Sequence, residues 1–250
     1  MEKLQVVTYN IHKGFSQFKR RMAVHDLRES LRGIGADVVF LQEVQGLHEK
    51  HSTRHHNWPH APQYEFLADS IWNDFAYGKN AVYDEGHHGN AILSKYPIVR
   101  WDNEDISMHG SESRGLLHCE IAVPGWKQPL HCLNVHLGLL AHWRRKQILK
   151  MKERIAALVP EDAPMVIAGD FNDWRRMASD AMVEALNVHE VFESTSGRPA
   201  RSFPAFLPML HLDRIYVRGF SVERAHAHKE RTSSRVSDHI ALSARLVRKI

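Results

Sequence analysis

Met165-Val166-Ile167-Ala168-Gly169-Asp170-Phe171-Asn172 reads as a short buried strand that breaks off in an acid and an amide. Its first four residues are all apolar, too few for a helix and rich enough in Val and Ile for a strand covered on both faces. The same shape recurs along the chain. Val6-Val7-Thr8-Tyr9 runs into Asn10, Val38-Val39-Phe40-Leu41-Gln42 into Glu43, and Leu133-Asn134-Val135 into His136. Asp213 interrupts the apolar stretch 210–217, and Asp238-His239 opens the last strand-like run. Asp and Asn after a strand are common turn formers, which would explain Asp170 and Asn172 by themselves. No such account covers Glu43, because burying a lone carboxylate at the end of an apolar strand is costly.

Working outward, strand-like runs are predicted over 4–11, 37–44, 90–94, 116–123, 130–137, 165–168, 212–217 and 240–246. Helices are predicted around 24–31, over 140–158, where Ile148, Met151, Ile155 and Leu158 repeat at helical spacing, and over 177–186. Pro160 and Pro164 end the second. Strands follow strands as often as helices, which predicts mixed sheets and not a doubly wound parallel fold. No repeat and no Pro/Gly/Ser linker divides the 250 residues, so one domain over 1–250 is expected. Two polar or proline-rich stretches, 48–63 with five histidines and 194–210, are expected to be long surface loops at the rim of a site.

A hydrophobic fraction of 43% with 25% charged residues excludes a disordered chain. The balance of 33 basic and 29 acidic residues leaves +4, a mild bias toward an anionic partner without a basic tail. The N-terminal stretch lacks the apolar core of a signal peptide and no segment suits a membrane span, so a cytoplasmic protein is expected. Cys119 and Cys132 lie in strand-like runs and read as reduced core thiols. Of the 19 histidines, His51, His55, His56 and His60 read as solvated, since no Cys or carboxylate ligand is interleaved with them.

If the polar strand ends meet, they gather three or four carboxylates in one place, and a hard cation is the natural neutraliser. Oxygen ligands without a Cys/His cluster favour Mg²⁺ or Mn²⁺ over zinc. Such a site serves attack of water on phosphorus, with histidines donating to the developing charge.

Seven stretches carry a resemblance. Thr8-Tyr9-Asn10-Ile11, Leu41-Gln42-Glu43, Gly89-Asn90-Ala91-Ile92-Leu93-Ser94, Asn134-Val135-His136-Leu137, Gly169-Asp170-Phe171-Asn172, Leu212-Asp213-Arg214-Ile215 and Ser237-Asp238-His239 together resemble the endonuclease/exonuclease/phosphatase superfamily, the deoxyribonuclease I-like enzymes. Any one motif is weak; seven in family order, spread over nearly the whole chain, are specific. The resemblance implies a four-layered α/β sandwich, with two mixed β-sheets packed face to face and helices outside. It implies that Glu43 is the main metal ligand, with Asn10 and Asp238 near the same cation. Asp170 resembles the carboxylate that orients the attacking water, and Asn172 its amide neighbour. His239 resembles the histidine that bonds the scissile phosphate, Asp213 the carboxylate that fixes its ring, and His136 a second phosphate-facing histidine. Arg114 is similar to a phosphate-binding arginine of some members. Asn90 is read either as a substrate-binding amide or as one that satisfies a loop. The stretch Glu85-Gly86-His87-His88 departs from the family, leaving open whether Glu85 or a histidine partners His136.

The expected activity is therefore metal-dependent hydrolysis of a phosphoester by a monomer, with nucleic acid as first substrate because the mild basic charge suits a polyanion. Phospholipid head groups, inositol phosphates and small phosphoesters are the alternative, since fold does not choose among them. A scaffold protein that has lost catalysis would show damage at the metal and water-orienting positions, and none is visible. A purely structural protein does not account for the polar strand ends.

Overall fold

Side-chain alternation along the central strands decides the layering. In β1 (Lys3–Asn10), Leu4 and Val6 face one way while Val7 and Tyr9 face the other, and all four are buried. A strand buried on both faces needs a layer on each side. The computed structural model describes residues 2–16, 21–48, 57–110, 112–176, 179–229 and 236–249.

One six-stranded sheet holds β1, β2 (Val38–His48), β3 (Asp74–Tyr83), β4 (Gly86–Ser94), β11 (Phe220–Ala227) and β12 (Leu242–Arg248), in the order β11-β12-β1-β2-β4-β3. The other holds β5 (Ile98–Asp105), β6 (Gly115–Ile121), β7 (Leu130–His136), β8 (Met165–Asp170), β9 (His189–Glu190) and β10 (Asp213–Arg218), in the order β5-β6-β7-β8-β10-β9. The helices are α1 (Val24–Ile34), α2 (Gln63–Ala68), α3 (Ala141–Leu158), α4 (Ser179–Leu186) and α5 (Val191–Ser196). Two pairs of neighbours are parallel, β1 with β2 across α1 and β7 with β8 across α3; the remaining pairings are antiparallel. Both sheets are mixed, as expected.

Leu4, Val6, Phe40 and Ile92 of the first sheet pack against Leu117, Cys132, Val166 and Ile215 of the second. The outer face of the first sheet takes Leu27 and Leu31 of α1 and Leu67 of α2 on Val7, Val39 and Leu41. The outer face of the second takes Ile148, Met151 and Ile155 of α3 on neighbours that include Leu133, Val135 and Ile167. The result is the expected four-layered sandwich. Cys119 and Cys132 sit opposite each other on β6 and β7 as buried free thiols.

A polar seam crosses the sheet interface near the strand ends that carry the polar residues. The Gln42 side-chain NH₂ donates to Thr8 Oγ1 at 3.2 Å and to Asn134 Oδ1 at 2.7 Å. Asn134 Nδ2 in turn donates to the carbonyls of Leu41 and Ala91, at 2.9 and 2.8 Å. These buried amide bonds fix one sheet against the other and so set the spacing of the residues beyond them, while Gln42 Oε1 has no partner among the described residues. Gly169 has φ +147°, and a Cβ there would lie 2.0 Å from the Val135 carbonyl oxygen. Only glycine lets β8 approach β7 closely enough to place Asp170.

Element existence matches the sequence expectation in the centre of each sheet and departs from it at the margins. β3, β5 and β11, all edge strands, were not predicted, nor were the short helices α2 and α5. Edge strands face water and mix polar with apolar residues, so they carry no apolar run. α5 occupies the start of the expected loop 194–210. Of the expected helix 177–186, residues 177–178 lie outside the described residues, as do 49–56 of the loop 48–63 with His51, His55 and His56. His60 is exposed, as expected.

Candidate active site

The ends of β1, β7, β8 and β10 and a bulge within β2 converge on one end of the sandwich, where Lys13, Glu43, His88, Arg114, His136, Asp170, Asn172 and His239 line a cleft of about 440 Å³. Each side chain arrives by a local device. β8 ends in Asp170, whose Oδ1 accepts from the Asn172 N–H at 3.0 Å, while Asn172 Nδ2 donates to the Leu137 carbonyl at 2.9 Å. That bond lashes the turn after β8 to the end of β7. Asn172 takes a left-handed conformation, φ 50°, which asparagine tolerates better than most residues.

Glu43 is placed differently from the sequence expectation. β2 does not stop there but runs on to His48 through a bulge: the register jumps from Leu41 opposite Ala91 to Val44 opposite Gly89. Gln42 and Glu43 together oppose the single residue Asn90. Such bulges bend a strand and re-aim a side chain. Glu43 sits at φ 56°, a conformation that costs a non-glycine residue roughly 1–2 kcal/mol. Asn10 Nδ2 bridges the two acids, donating to Asp170 Oδ2 at 3.1 Å and to Glu43 Oε1 at 3.4 Å, while its Oδ1 accepts from the His12 N–H at 3.1 Å.

The turn after β1 is strained as well. His12, Lys13 and Gly14 have φ of 45°, 58° and 78° in succession. Gln63 holds this turn against the bulged strand. Its Nε2 donates to the Lys13 carbonyl at 2.8 Å, and its Oε1 accepts from the Gln45 N–H at 2.9 Å. Gln63→Ala is expected to strand two backbone groups and lower stability by on the order of 2 kcal/mol in urea unfolding. A change below about 0.5 kcal/mol, the range of an ordinary surface substitution, would show that the turn is held by something else.

His239 and Asp213 form a buried pair, Nδ1 to Oδ2 at 2.8 Å. Burial alone would lower the His239 pKa. The charge and hydrogen bond of Asp213, then the charges of Asp170 and Asp238, outweigh it and raise the ring to about 10. Its Nε2 faces Asp170 Oδ2 at 3.7 Å, and His136 Nε2 faces the same oxygen at 3.6 Å. The His136 pKa is pushed well below the ordinary value by burial and by the positive charges of Arg114 and other neighbours. One ring is thus cationic and the other neutral near pH 7. Burial and the Asp213 charge push Asp170 up to about 6, against the opposing effects of His239, Asn172 and Asn10.

Two cationic side chains, Arg114 and Lys13, also line the cleft. The Arg114 Nη2 donates to Glu112 at 3.3 Å, while its buried Nε has no partner among the described residues. His88 lines the cleft as a neutral ring, since burial and the charges of Lys13 and Arg114 lower its pKa to about 4. His87 turns aside and meets the Tyr77 hydroxyl at 2.9 Å.

Asp170, Asp213 and His239 each offer a ligand atom within 4.8 Å of the others. The bond between Asp213 and a protonated His239 makes that trio a poor metal cage. The donor chemistry that fits a hard cation is instead the carboxylate oxygens of half-buried Glu43 and of Asp170, to which Asn10 presents its Nδ2 while its Oδ1 accepts from the His12 N–H.

Of the ten site residues read from the sequence, Glu43, His136, Asp170, Asn172, His239 and Arg114 line the cleft, with Asn10 and Asp213 bonded directly behind them. Asn90 is not brought there. Its amide points between the sheets and donates to the carbonyls of Gly115 on β6 and Asn134 on β7, at 3.1 and 3.4 Å, so it satisfies backbone of the opposite sheet and not a loop. Asp238 lies beside His12, Oδ1 to Nδ1 at 3.7 Å, and is not among the residues lining the cleft. Sequence reasoning passed over Lys13, whose signal was its place three residues after Asn10, and Trp174, Phe203 and Leu210 at the mouth. The described part of the loop 48–63 lines a separate hollow with His25 and Phe66.

A two-sheet sandwich with acids and histidines gathered at its strand ends is the architecture of the deoxyribonuclease I-like phosphoesterases. The sequence model of the Endonuclease/Exonuclease/phosphatase family matches residues 7–239, and the chain belongs to that family. It is 48% identical over 242 residues to the uncharacterized protein YbhP of Escherichia coli (strain K12), covering 97% of this chain and 95% of that one. Its fold is similar to that of an endonuclease/exonuclease/phosphatase from Bacteroides vulgatus, with a TM-score of 0.77 at 16% identity and full coverage of both chains. The mannosyl-6-phosphatase Bt3783 of Bacteroides thetaiotaomicron VPI-5482 gives 0.77 at 17% identity, over 98% of this chain and 99% of that one. A humanized D. rerio TDP2 gives 0.72 at 21%, over 98% of each. No helix among the described residues is long and apolar enough to cross a membrane.

Proposed function

We propose that this protein hydrolyses a phosphoester by in-line attack of water, with Mg²⁺ or Mn²⁺ held at Glu43. One observation carries the reading: the Asp213–His239 pair aims its outer nitrogen at Asp170, inside a cleft that Lys13 and Arg114 also line. Asp170, once ionised, accepts a hydrogen bond from the attacking water and orients it. Asn172 and Asn10 hold that carboxylate still through both of its oxygens. His239, kept protonated by Asp213, donates from Nε2 to a phosphoryl oxygen as negative charge builds there. Neutral His136 offers a second hydrogen bond without adding charge. Arg114 and Lys13 bind the remaining phosphoryl oxygens or a neighbouring anionic group. A divalent cation bound at Glu43, with Asn10 and Asp170 next to it, would supply charge neutralisation and polarise the phosphoryl group.

This chemistry and the charge of +4 suit nucleic acid and any other phosphate-bearing molecule equally. The structural neighbours, which include TDP2 and a mannosyl-6-phosphatase, do not choose among substrates. The test is a panel of DNA, RNA, phospholipids, inositol phosphates and p-nitrophenyl phosphoesters, each with Mg²⁺, with Mn²⁺ and with EDTA. Turnover of at least one phosphoester that EDTA abolishes is expected. Folded protein that turns over none of them with either metal would refute the reading.

A further inference from the structure

Thirteen large apolar side chains are exposed among the described residues, and seven of them stand in three loops around the mouth of the cleft. Scattered exposed apolar residues are ordinary; a group of this size around one opening is not. Four belong to the segment 203–210, Phe-Pro-Ala-Phe-Leu-Pro-Met-Leu, which carries no charge. The segment is a tight hairpin. Phe203 and Leu210 pair at its base, where the Leu210 N–H donates to the Phe203 carbonyl at 2.8 Å, and both side chains line the cleft. Its tip holds Phe206, Leu207 and Met209 out in solvent, 61%, 55% and 56% exposed. The hairpin is bolted to the site: the Ala205 N–H donates to the Asp238 carbonyl at 2.7 Å, and the Phe203 ring lies 5.0 Å from that of His239. Leu139 and Leu140, in the turn before α3, and Trp174, after β8, supply the other three exposed groups. Arg144 links those two loops, donating to the Leu139 carbonyl at 2.6 Å while its guanidinium lies over Trp174 at 5.1 Å.

The exposed charges of the three loops are basic, although two acids adjoin them: half-buried Glu112 accepts from the Leu139 N–H at 3.2 Å, and buried Asp173 precedes Trp174. Residues 137–152, 174–179 and 194–212 contain no Asp or Glu, and they hold the exposed Arg145, Lys146, Arg175 and Arg201. None of these four is in an ion pair among the described residues. An apolar tip with a basic surround is the pattern that seats on an anionic lipid surface, where apolar groups enter the headgroup boundary and cations meet phosphate. Single-stranded nucleic acid would also meet the cations, but it needs rings on which to stack its bases. Five of the seven exposed groups are Leu or Met, which suit acyl chains.

We infer that the hairpin 203–210, with Leu139, Leu140 and Trp174, docks this protein on an anionic phospholipid bilayer and presents its cleft to phosphate-bearing head groups. This deepens the phosphoesterase reading and rests on it for what happens in the cleft, but docking itself needs no turnover. The test is cosedimentation of the full chain with vesicles of equal parts phosphatidylglycerol and phosphatidylcholine, against vesicles of phosphatidylcholine alone. A variant carrying Phe206→Ser, Leu207→Ser and Met209→Ser is run beside the wild type. The wild type is expected to bind the anionic vesicles, and the variant to bind them at least about tenfold more weakly, since three apolar groups no longer leave water. Its circular dichroism and its Mg²⁺-dependent turnover of bis-p-nitrophenyl phosphate, a soluble probe, should stay at the wild-type level. Three results would overturn the inference: wild type left in the supernatant of both vesicles, variant and wild type bound equally, or loss in the variant of oligothymidylate binding or of a dimer in place of vesicle binding. Absent turnover of the soluble probe by a wild type that still binds vesicles would instead strike the phosphoesterase reading alone.

Discussion

His239→Ala is expected to lower kcat by roughly 10²–10⁴-fold, the usual effect of losing a positioned proton donor, while the fold survives. The ring's Nδ1 is held by Asp213 at 2.8 Å, so its Nε2 hydrogen points into the cleft. Asp170→Asn should cost a similar factor, because the amide cannot take the place of an ionised carboxylate facing water. Asp213→Asn should be milder, since the ring remains but loses its orienting charge. The Asp213→Asn/His239→Ala double variant should be little worse than His239→Ala alone, as residues that act as one unit are not additive. Additive losses in that cycle would show that the two do not work together.

The same geometry sets the expected pH profile. Asp170, raised to about 6, must lose its proton to work, so the rate should climb as pH rises through that region. His239, raised to about 10, must keep its proton, so the rate should fall only as pH passes that value. Removing the Asp213 charge leaves burial of the ring less opposed, which lowers the His239 pKa. The alkaline limb of Asp213→Asn should therefore move toward neutral pH. An alkaline limb that stays in place would detach Asp213 from the titration of the ring.

Glu43→Gln is the second large effect. It keeps the shape of the side chain and removes the charge that the cleft offers a cation. Loss of an outer-shell partner alone typically weakens metal binding about 10–100-fold, so loss of the carboxylate itself should exceed that range in calorimetry with Mg²⁺ or Mn²⁺. Thermal stability should be unchanged or higher, because Glu43 and Asp170 both crowd the Asn10 amide and repel each other. Equal metal affinity in variant and wild type would remove Glu43 from the metal site.

Much of this site was legible in the chain because its residues break a pattern. Asn10, His136, Asp170 and Asp213 sit at the ends of strands buried on both faces, where a polar residue conflicts with the apolar run and therefore stands out. Central strands are written as such runs because they must fill two interfaces at once, and β1, β2, β7 and β8 were found on that ground. Edge strands β3, β5 and β11 make half of that demand, and their mixed residues resemble loops.

What the sequence by itself determined is which side chains are paired with chemistry and in what order they come: the acids, amides and histidines, and the helix over 141–158 set by its apolar spacing. Tertiary structure decided where they point. Asn90 matches a family motif as well as any, yet the seam between the sheets claims its amide, because a buried carbonyl of the opposite sheet lies within reach. Glu43 enters the cleft only because β2 bulges there, and a bulge depends on the register of two strands that local sequence does not encode. The apolar collar, too, exists only in space: its exposed groups come from three separate segments, and only the fold sets Leu139, Leu140 and Trp174 at the same cleft as the hairpin 203–210. Periodicity reports what a residue's own element needs, whereas a cleft is made by elements meeting, and that meeting is fixed by packing across the whole sandwich.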